Sequence, residues 1–286
     1  MSENAVNSPV YAGIITYNPD PDRLKLNLDA ILPQVDRVVI VDNHSANIEE
    51  IIALTEADER VVLVRNRKNS GVAKALNQIM EFAERNHAEW VLTLDQDSVV
   101  SDGLVEQYKK YSRSPKIAMM SCLIRDRNVD GLVDGSQKSV GKGKYEIVKQ
   151  CITSGCFTRV KAWKDVGGYD EKMFIDYVDF DLCSTLRERG YVIIRVNYEG
   201  LLHELGNRKV VRVFGVKHIA MNHSPMRKYY IVRNILYYGR KHRKSVNRLH
   251  EARVVLGFIA LTLLSEPNKV KNAKAMLRGI NDSRKM

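Results

Sequence analysis

Four apolar runs alternate with segments of helical period in the first third of the chain, and that alternation constrains the fold more than any other feature. The runs are Val10 to Thr16, Arg37 to Val41, Arg60 to Arg65 and Glu89 to Leu94. Between them, Arg23 to Leu32 places Leu24, Leu28 and Ile31 on one side of a helix. Asn47 to Ala57 reads as a second helix, and Gly71 to Asn86 as a third with Val72, Ala75, Leu76 and Ile79 on one face. Short continuous apolar runs are strands buried on both faces, and helices of this length between them are the crossovers of parallel strands. The predicted fold class is therefore α/β, a mostly parallel sheet flanked by helices. In such a sheet the strands end along one edge, where ligands bind. Each run here ends in polar residues: Thr16-Tyr17-Asn18, Asp42-Asn43-His44-Ser45, Asn66 to Asn69, and Asp95-Gln96-Asp97.

The last cluster is the most informative chemically. Two carboxylates one residue apart, just past a buried strand, can share a hard divalent cation with a diphosphate. Taken alone, Asp-x-Asp is a common turn former. The chain has no Gly-x-Gly-x-x-Gly and no Gly-x-x-x-x-Gly-Lys-Ser/Thr. Diphosphate charge would then fall to a metal and to basic side chains. Asp42, after Val38 to Val41, can accept a hydrogen bond from the imide N–H of uracil or thymine; its cluster can equally cap the next helix. Asn69 to Asn77 couples a polar turn to a helix start, again with capping as the simpler role. Phe174 to Cys183 is a second acidic cluster, with Asp179 and Asp181 at the start of a helix predicted to run to Arg189. Acids there suit a helix N-terminus, and one of them can also serve as a general base.

Past Asp102 the pattern is less regular. Gly103 to Tyr111 reads as a helix, Ile117 to Ile124 as a strand, Asp126 to Lys144 as a loop or hairpin, and Ile152 to Val160 as a turn leading into a strand. Tyr191 to Val196 reads as a strand, and the chain from Ser224 onward as mostly helical. Cys122, Cys151, Cys156 and Cys183 are widely spaced with no Cys-x-x-Cys, which disfavours a zinc site or a disulfide framework and fits a reducing cytoplasm. Met1 to Pro9 is short and polar, unlike a signal peptide or an anchor. The net charge of +11 is uneven: residues from 201 onward carry 19 Lys/Arg against 4 Asp/Glu, or +15, leaving −4 for the first 200 residues. A basic back part suggests phosphates, nucleic acid or an anionic membrane. Val254 to Leu264 is apolar but about half as long as a bilayer span.

Thr16-Tyr17-Asn18, Val41-Asp42-Asn43-His44-Ser45, Asn69-x-Gly71-Val72-Ala73-x-Ala75-Leu76-Asn77, Leu94-Asp95-Gln96-Asp97 and Val178-Asp179-Phe180-Asp181-Leu182-Cys183 occur in that order. In order and spacing they resemble glycosyltransferase family 2, with its GT-A fold. A narrower resemblance, to bacterial rhamnosyltransferases of cell-surface polysaccharide assembly, rests on Leu-Asp-Gln-Asp, Ile152-Thr153-Ser154-Gly155, Phe174 to Asp179 and Arg227 to Asn234. It covers roughly residues 9 to 240. It implies a GT-A catalytic domain over 1–223, with a nucleotide-sugar half at about 9–102 and an acceptor half at about 103–223, followed by a helical basic region over 224–286.

The resemblance also implies roles. Thr16 and Tyr17 line a base pocket with Asn18 beside them, Asp42 reads the pyrimidine imide, Asn43 belongs to the nucleotide-sugar site, and Asn69 and Asn77 shape the nucleotide pocket. Asp97 binds Mg²⁺ or Mn²⁺, Asp95 faces the ribose or the metal, and His203, in His203-Glu204-Leu205-Gly206, approaches the metal or diphosphate. Asp179 is the expected base, with Asp176 as the alternative because the family's preceding Glu is Val178 here. Ser154, Gly155 and Asp181 fall to the acceptor, and Arg227, Tyr230 and Arg233 to a diphosphate.

The implied activity is inverting transfer of L-rhamnose from dTDP-β-L-rhamnose to a polysaccharide or polyprenyl-diphosphate-linked acceptor. The implied place is the cytoplasm, peripheral to the inner face of the membrane and touching anionic lipid, with a homodimer through the C-terminal helices left open. A UDP-sugar donor is the nearest alternative. A sugar-1-phosphate nucleotidyltransferase would want a Gly-rich basic loop where Asn18-Pro19-Asp20-Pro21-Asp22 stands. A nucleic-acid-binding protein has only the basic tail in its favour, with no recognisable motif, so no nucleic-acid partner is expected.

Overall fold

The structure, a computed structural model, describes residues 8–126, 143–203, 209–213, 216–220 and 222–286. The first four strands and three helices form as the apolar pattern predicts. They are β1 (Val10–Thr16), α1 (Pro21–Ile31), β2 (Arg37–Asp42), α2 (Ile48–Glu56), β3 (Val61–Arg65), α3 (Val72–Arg85) and β4 (Trp90–Asp95). β1 pairs in parallel with both β2 and β4, and β2 with β3. Asp20 caps α1 by accepting from the N–H groups of Asp22 and Arg23, satisfying donors that the first turn leaves open.

Beyond β4 the sheet turns mixed. Its strand order is β3-β2-β1-β4, then β8 (Cys156–Arg159), β6 (Ile117–Asp126), β9 (Val192–His203) and β5 (Val99–Val100). The later elements are β5 (Val99–Val100), α4 (Leu104–Lys109), β6 (Ile117–Asp126), β7 (Tyr145–Ile147), β8 (Cys156–Arg159), α5 (Val160–Asp165), α6 (Val178–Glu188) and β9 (Val192–His203). β8 runs antiparallel to β4 and β6, whereas β6 and β9 are parallel. The front half of the sheet is thus all parallel, and the back half mixes the two directions. β9 extends well past the predicted Val196, down to His203, and α5 follows β8 without a break. Most of the predicted Asp126–Lys144 loop lies outside the described residues.

The period-2 alternation of β1 divides the core. Val10, Ala12 and Ile14 pack with Leu24, Leu28 and Ile31 of α1 and with Leu104 and Tyr108 of α4. Tyr11 joins α3, α5 and α6 on the other face. Gly13 sits on that second face, and a Cβ there would fall 2.3 Å from Ile79 Cγ2. The missing side chain lets α3 lie close on β1, and filling it would cost about 1–3 kcal/mol in overpacking.

Three helices close the chain: α7 (Pro225–Lys241), α8 (Arg248–Ser265) and α9 (Lys269–Ser283), preceded by a hairpin of β10 (Lys209–Val213) and β11 (Val216–Ala220). Val232, Ile235, Val255 and Met276 form their own small core. α7 also reaches the catalytic body, because Tyr238 belongs to the core under α3 and α6. A buried ion pair, Lys228 Nζ to Glu266 Oε2 at 2.6 Å, fixes α7 to the end of α8.

Candidate active site

The polar edge of the sheet, the loop before β8, the segment leading into α6, His203 and the start of α7 enclose a cleft of about 610 Å³, within the size range of small-molecule sites. Tyr17, Asn43, Asn69, Asp95, Asp97, Asp176, Asp179, His203 and Arg227 line it. Residues more than two hundred positions apart thus meet where the strand ends place them.

The end of β4 is built from both sides. The carbonyl of Asp95 accepts from Asn27 Nδ2 at 2.8 Å, and its N–H donates to Ser154 Oγ at 3.1 Å. Gln96 Oε1 accepts the N–H of Tyr17 at 2.9 Å. Ser98 Oγ bridges Ser154 Oγ and His203 Nδ1, each at 2.8 Å. That leaves His203 Nε2 facing Asp95 Oδ2 at 3.7 Å. Burial pushes the Asp95 carboxyl above its ordinary value, with His203 and Arg227 pulling it down and Asp97 pushing it up. Among the described residues no group of three His, Cys, Asp or Glu side chains is placed to hold a metal ion by itself. Asp95, Asp97 and His203 line the same cleft as oxygen and nitrogen donors. Such a set fits a divalent cation that completes its shell from a diphosphate and water.

The base candidates line the same cleft. α6 starts at Val178, and the residues before it are wound backwards: Phe174, Asp176 and Tyr177 have φ of 65°, 64° and 66°. Left-handed backbone at non-glycine residues costs about 1–3 kcal/mol each and persists only where surroundings enforce it. The winding turns Asp176 and Asp179 toward the cleft. Asp179 accepts from the Phe180 N–H at 2.9 Å. Burial raises it to about 7, its own and the Phe180 N–H oppose this, and the Asp176 and Asp95 charges add to it. Asp176 is occupied differently: Arg227 Nη2 donates to its Oδ1 at 3.0 Å and Nε to its Oδ2 at 3.2 Å. Burial raises Asp176 and Arg227 opposes that rise. Of the two, Asp179 is the one with no ion-pair partner among the described residues, and it has the value of a base working near neutrality.

Nine of the predicted residues do not line the cleft. Asp42, 1% exposed, accepts from Thr16 Oγ1, Ser45 Oγ and the N–H groups of His44 and Ser45. All four acceptor positions are filled, so Asp42 and Thr16 tie β1 to the β2 loop and leave nothing for a base. Asn18 joins the same loops, its Oδ1 accepting from the Ala46 N–H. Asn77 spends its amide on Trp163 Nε1, the Tyr169 backbone and Glu171. Ser154 and Gly155 are buried under the cleft floor, with the Gly155 carbonyl accepting from Tyr108 Oη. Asp181 is 1% exposed and is held by Lys241 and His242, each at 2.8 Å, so no acceptor reaches it. The Tyr230 ring stacks on Phe174 at 4.8 Å. Arg233 donates to the carbonyls of Lys172 and Met173 at 2.6 and 2.9 Å. These two α7 residues act on the segment before α6, and of the three α7 candidates it is Arg227 that lines the cleft.

A family model described as glycosyl transferase family 2 matches residues 11–164. The chain belongs to glycosyl transferase family 2. It is 29% identical over 281 residues to the dTDP-rhamnosyl transferase RfbF of Shigella flexneri, covering 94% of this chain and 93% of that protein. It is 28% identical over 175 residues to poly-beta-1,6-N-acetyl-D-glucosamine synthase of Staphylococcus aureus, covering 57% of this chain and 40% of that one. Among solved structures, S. aureus TarS matches with a TM-score of 0.62 at 14% identity, covering 97% of this chain and 49% of that chain. GalNAc-T7, solved with UDP, GalNAc and Mn²⁺, matches with a TM-score of 0.59 at 13% identity, covering 83% of this chain and 48% of that chain. The chain therefore spans about half the length of these two, which share with it the GT-A-type fold expected from its sequence.

Proposed function

We propose that this family 2 glycosyltransferase moves L-rhamnose from dTDP-β-L-rhamnose to a hydroxyl of a growing cell-surface glycan, with inversion. The observation that carries the mechanism is that Asp179, raised to about 7 by burial, lines one cleft with Asp95, Asp97 and His203. The acceptor oxygen attacks the anomeric carbon as its proton passes to an Asp179 oxygen. The bond from that carbon to the diphosphate breaks, and its electron pair leaves with the dTDP. Attack from the face opposite the leaving group turns the β donor into an α-rhamnoside, the geometry shared with inverting hydrolases. Asp97, Asp95 and His203 Nε2 would hold Mg²⁺ or Mn²⁺, which when bound supplies positive charge to the departing diphosphate. Arg227 adds a second cation at the cleft wall, and Tyr17 and Asn43 border the nucleotide. The near full-length similarity to a dTDP-rhamnosyl transferase supports the donor.

Thermal shift with sugar nucleotides tests the donor. Stabilisation by dTDP-rhamnose with Mg²⁺ or Mn²⁺ is the expected outcome; stabilisation by UDP-sugars alone would replace it. Asp97→Asn should remove the metal dependence of that shift.

The acceptor and the membrane belong to the same proposal. Leu249, Leu256 and Leu264 of α8 are 70%, 66% and 54% exposed. At 100° per residue they fall within one face of the helix, with Arg253 among them. Arg240, Lys241, Arg243, Lys244 and Arg248 precede that face. An exposed apolar stripe beside clustered cations suits shallow binding to an anionic leaflet, where a polyprenyl-diphosphate-linked acceptor would lie. Among the described residues no helix is long and apolar enough to cross a membrane.

A further inference from the structure

We infer that Asn234 of α7 is the positioning residue of the catalytic base. The inference rests on the proposed role of Asp179. Asn234 is fully buried, and its Nδ2 lies 2.8, 2.7 and 2.9 Å from the carbonyl oxygens of Met173, Ile175 and Asp176. One amide group therefore gathers three carbonyls of the segment wound backwards at Phe174, Asp176 and Tyr177. Extended or right-handed backbone at these residues would point those carbonyls apart, so the amide selects the rare conformation.

The rest of the segment is fastened to match. The Phe174 carbonyl, which Asn234 does not touch, accepts from the N–H groups of Val72 and Ala73 at 2.6 and 3.3 Å, so α3 takes the one carbonyl pointing the other way. Gly71 leaves room for this: a Cβ there would stand 2.6 Å from the Phe174 oxygen. Arg233 supports Asn234, its Nε donating to Asn234 Oδ1 at 3.0 Å while its Nη2 donates to the carbonyls of Lys172 and Met173. With both faces of the amide used, its orientation is set. Asp179 itself touches none of these groups. Its position at the first turn of α6 follows from where the wound segment ends, and one unwound residue would rotate the helix start and swing the carboxylate away from the cleft.

The test compares Asn234→Ala with Ile235→Ala, the neighbouring buried residue, which faces the α7–α8–α9 core and should weaken α7 without touching the segment. Asn234→Ala should lower kcat about 10- to 100-fold, the size of effect that misplacement far from the chemistry produces, with the donor KM within about threefold. Ile235→Ala should keep kcat within about threefold at a similar loss of Tm. Arg233→Met, which leaves the amide in place but unsupported, should fall between them, and it decides the matter if Asn234→Ala does not fold. Equal kcat for Asn234→Ala and Ile235→Ala, or for Arg233→Met and the parent where Asn234→Ala is insoluble, would overturn the inference. Asp179→Asn is run beside them: if it keeps full transfer, the base assignment itself fails, whatever the α7 variants do.

Discussion

At the scale of single residues, the account turns on one carboxyl whose environment does not favour its charge. Among the described residues Asp179 has no cationic partner at hydrogen-bond distance, and burial lifts it to about 7. A base must be ionised to accept a proton, so the transfer rate should rise with pH through about 7 and level off above it. The same fact makes a stability prediction. Because the folded value stands above the unfolded one, the cost of Asp179 to the fold builds as pH rises from the ordinary carboxylate range to about 7 and is complete above it. Asp179→Asn should therefore lose about 10²- to 10⁴-fold in transfer while its Tm in mildly alkaline buffer rises. A fall in both would mean that Asp179 holds the fold and does not serve the reaction. Asp176→Asn should behave otherwise: it strips Arg227 of its partner, so Tm falls and transfer survives in part.

At the scale of elements, α6 and α7 are joined by charges. Asp181 Oδ1 meets His242 Nε2 at 2.8 Å, Glu188 Oε1 meets His242 Nδ1 at 3.0 Å, and Lys241 reaches both Asp181 and Asp170 at 2.8 Å. Burial works against a charged His242, yet the two carboxylates outweigh it and raise the ring above its ordinary 6.5. The stabilisation is then complete below the unfolded value and is lost as pH climbs through the folded one. The urea midpoint should fall as pH rises from about 6 into the alkaline range, and His242→Gln should flatten that fall. An unchanged slope in the variant would place the dependence elsewhere. Asp181 illustrates what sequence pattern cannot resolve. Its place in Asp179-Phe180-Asp181 marks it as a site residue, but on a helix two positions are about 200° apart, so one carboxylate faces the cleft and the other faces α7.

At the scale of the molecule, the parts legible in sequence were those set by local pattern. Period and strand-end polarity located β1 to β4 and the Asp95-Gln96-Asp97 edge. The mixed half was not legible, because β8 joins β4 and β6 through contacts distant in sequence, and no apolar period announces strand direction. Asn234 stood in plain view in Arg227 to Asn234, yet only the fold shows that it faces a wound segment sixty residues earlier. Ser98, which sets His203, gave no signal at all. The boundary proposed at residue 224 divides the chain by composition, whereas α7 works on both sides of it, through Arg227 in the cleft and Tyr238 in the core. The exposed α8 stripe gives a prediction at this scale. The protein should sediment with anionic vesicles at low salt and be released as salt rises, and Leu256→Glu should abolish the binding without slowing transfer to a soluble acceptor. Equal sedimentation with neutral and anionic vesicles would contradict the electrostatic part.

The central claim is the donor and its chemistry, and release of nucleoside diphosphate tests it most directly. The protein is incubated with Mg²⁺ or Mn²⁺, a glycan acceptor and, in turn, dTDP-β-L-rhamnose and a panel of UDP-sugars. The account predicts acceptor-dependent dTDP release from dTDP-β-L-rhamnose that stops on chelation and in Asp179→Asn. Release of UDP from a UDP-sugar with none from dTDP-β-L-rhamnose would contradict it.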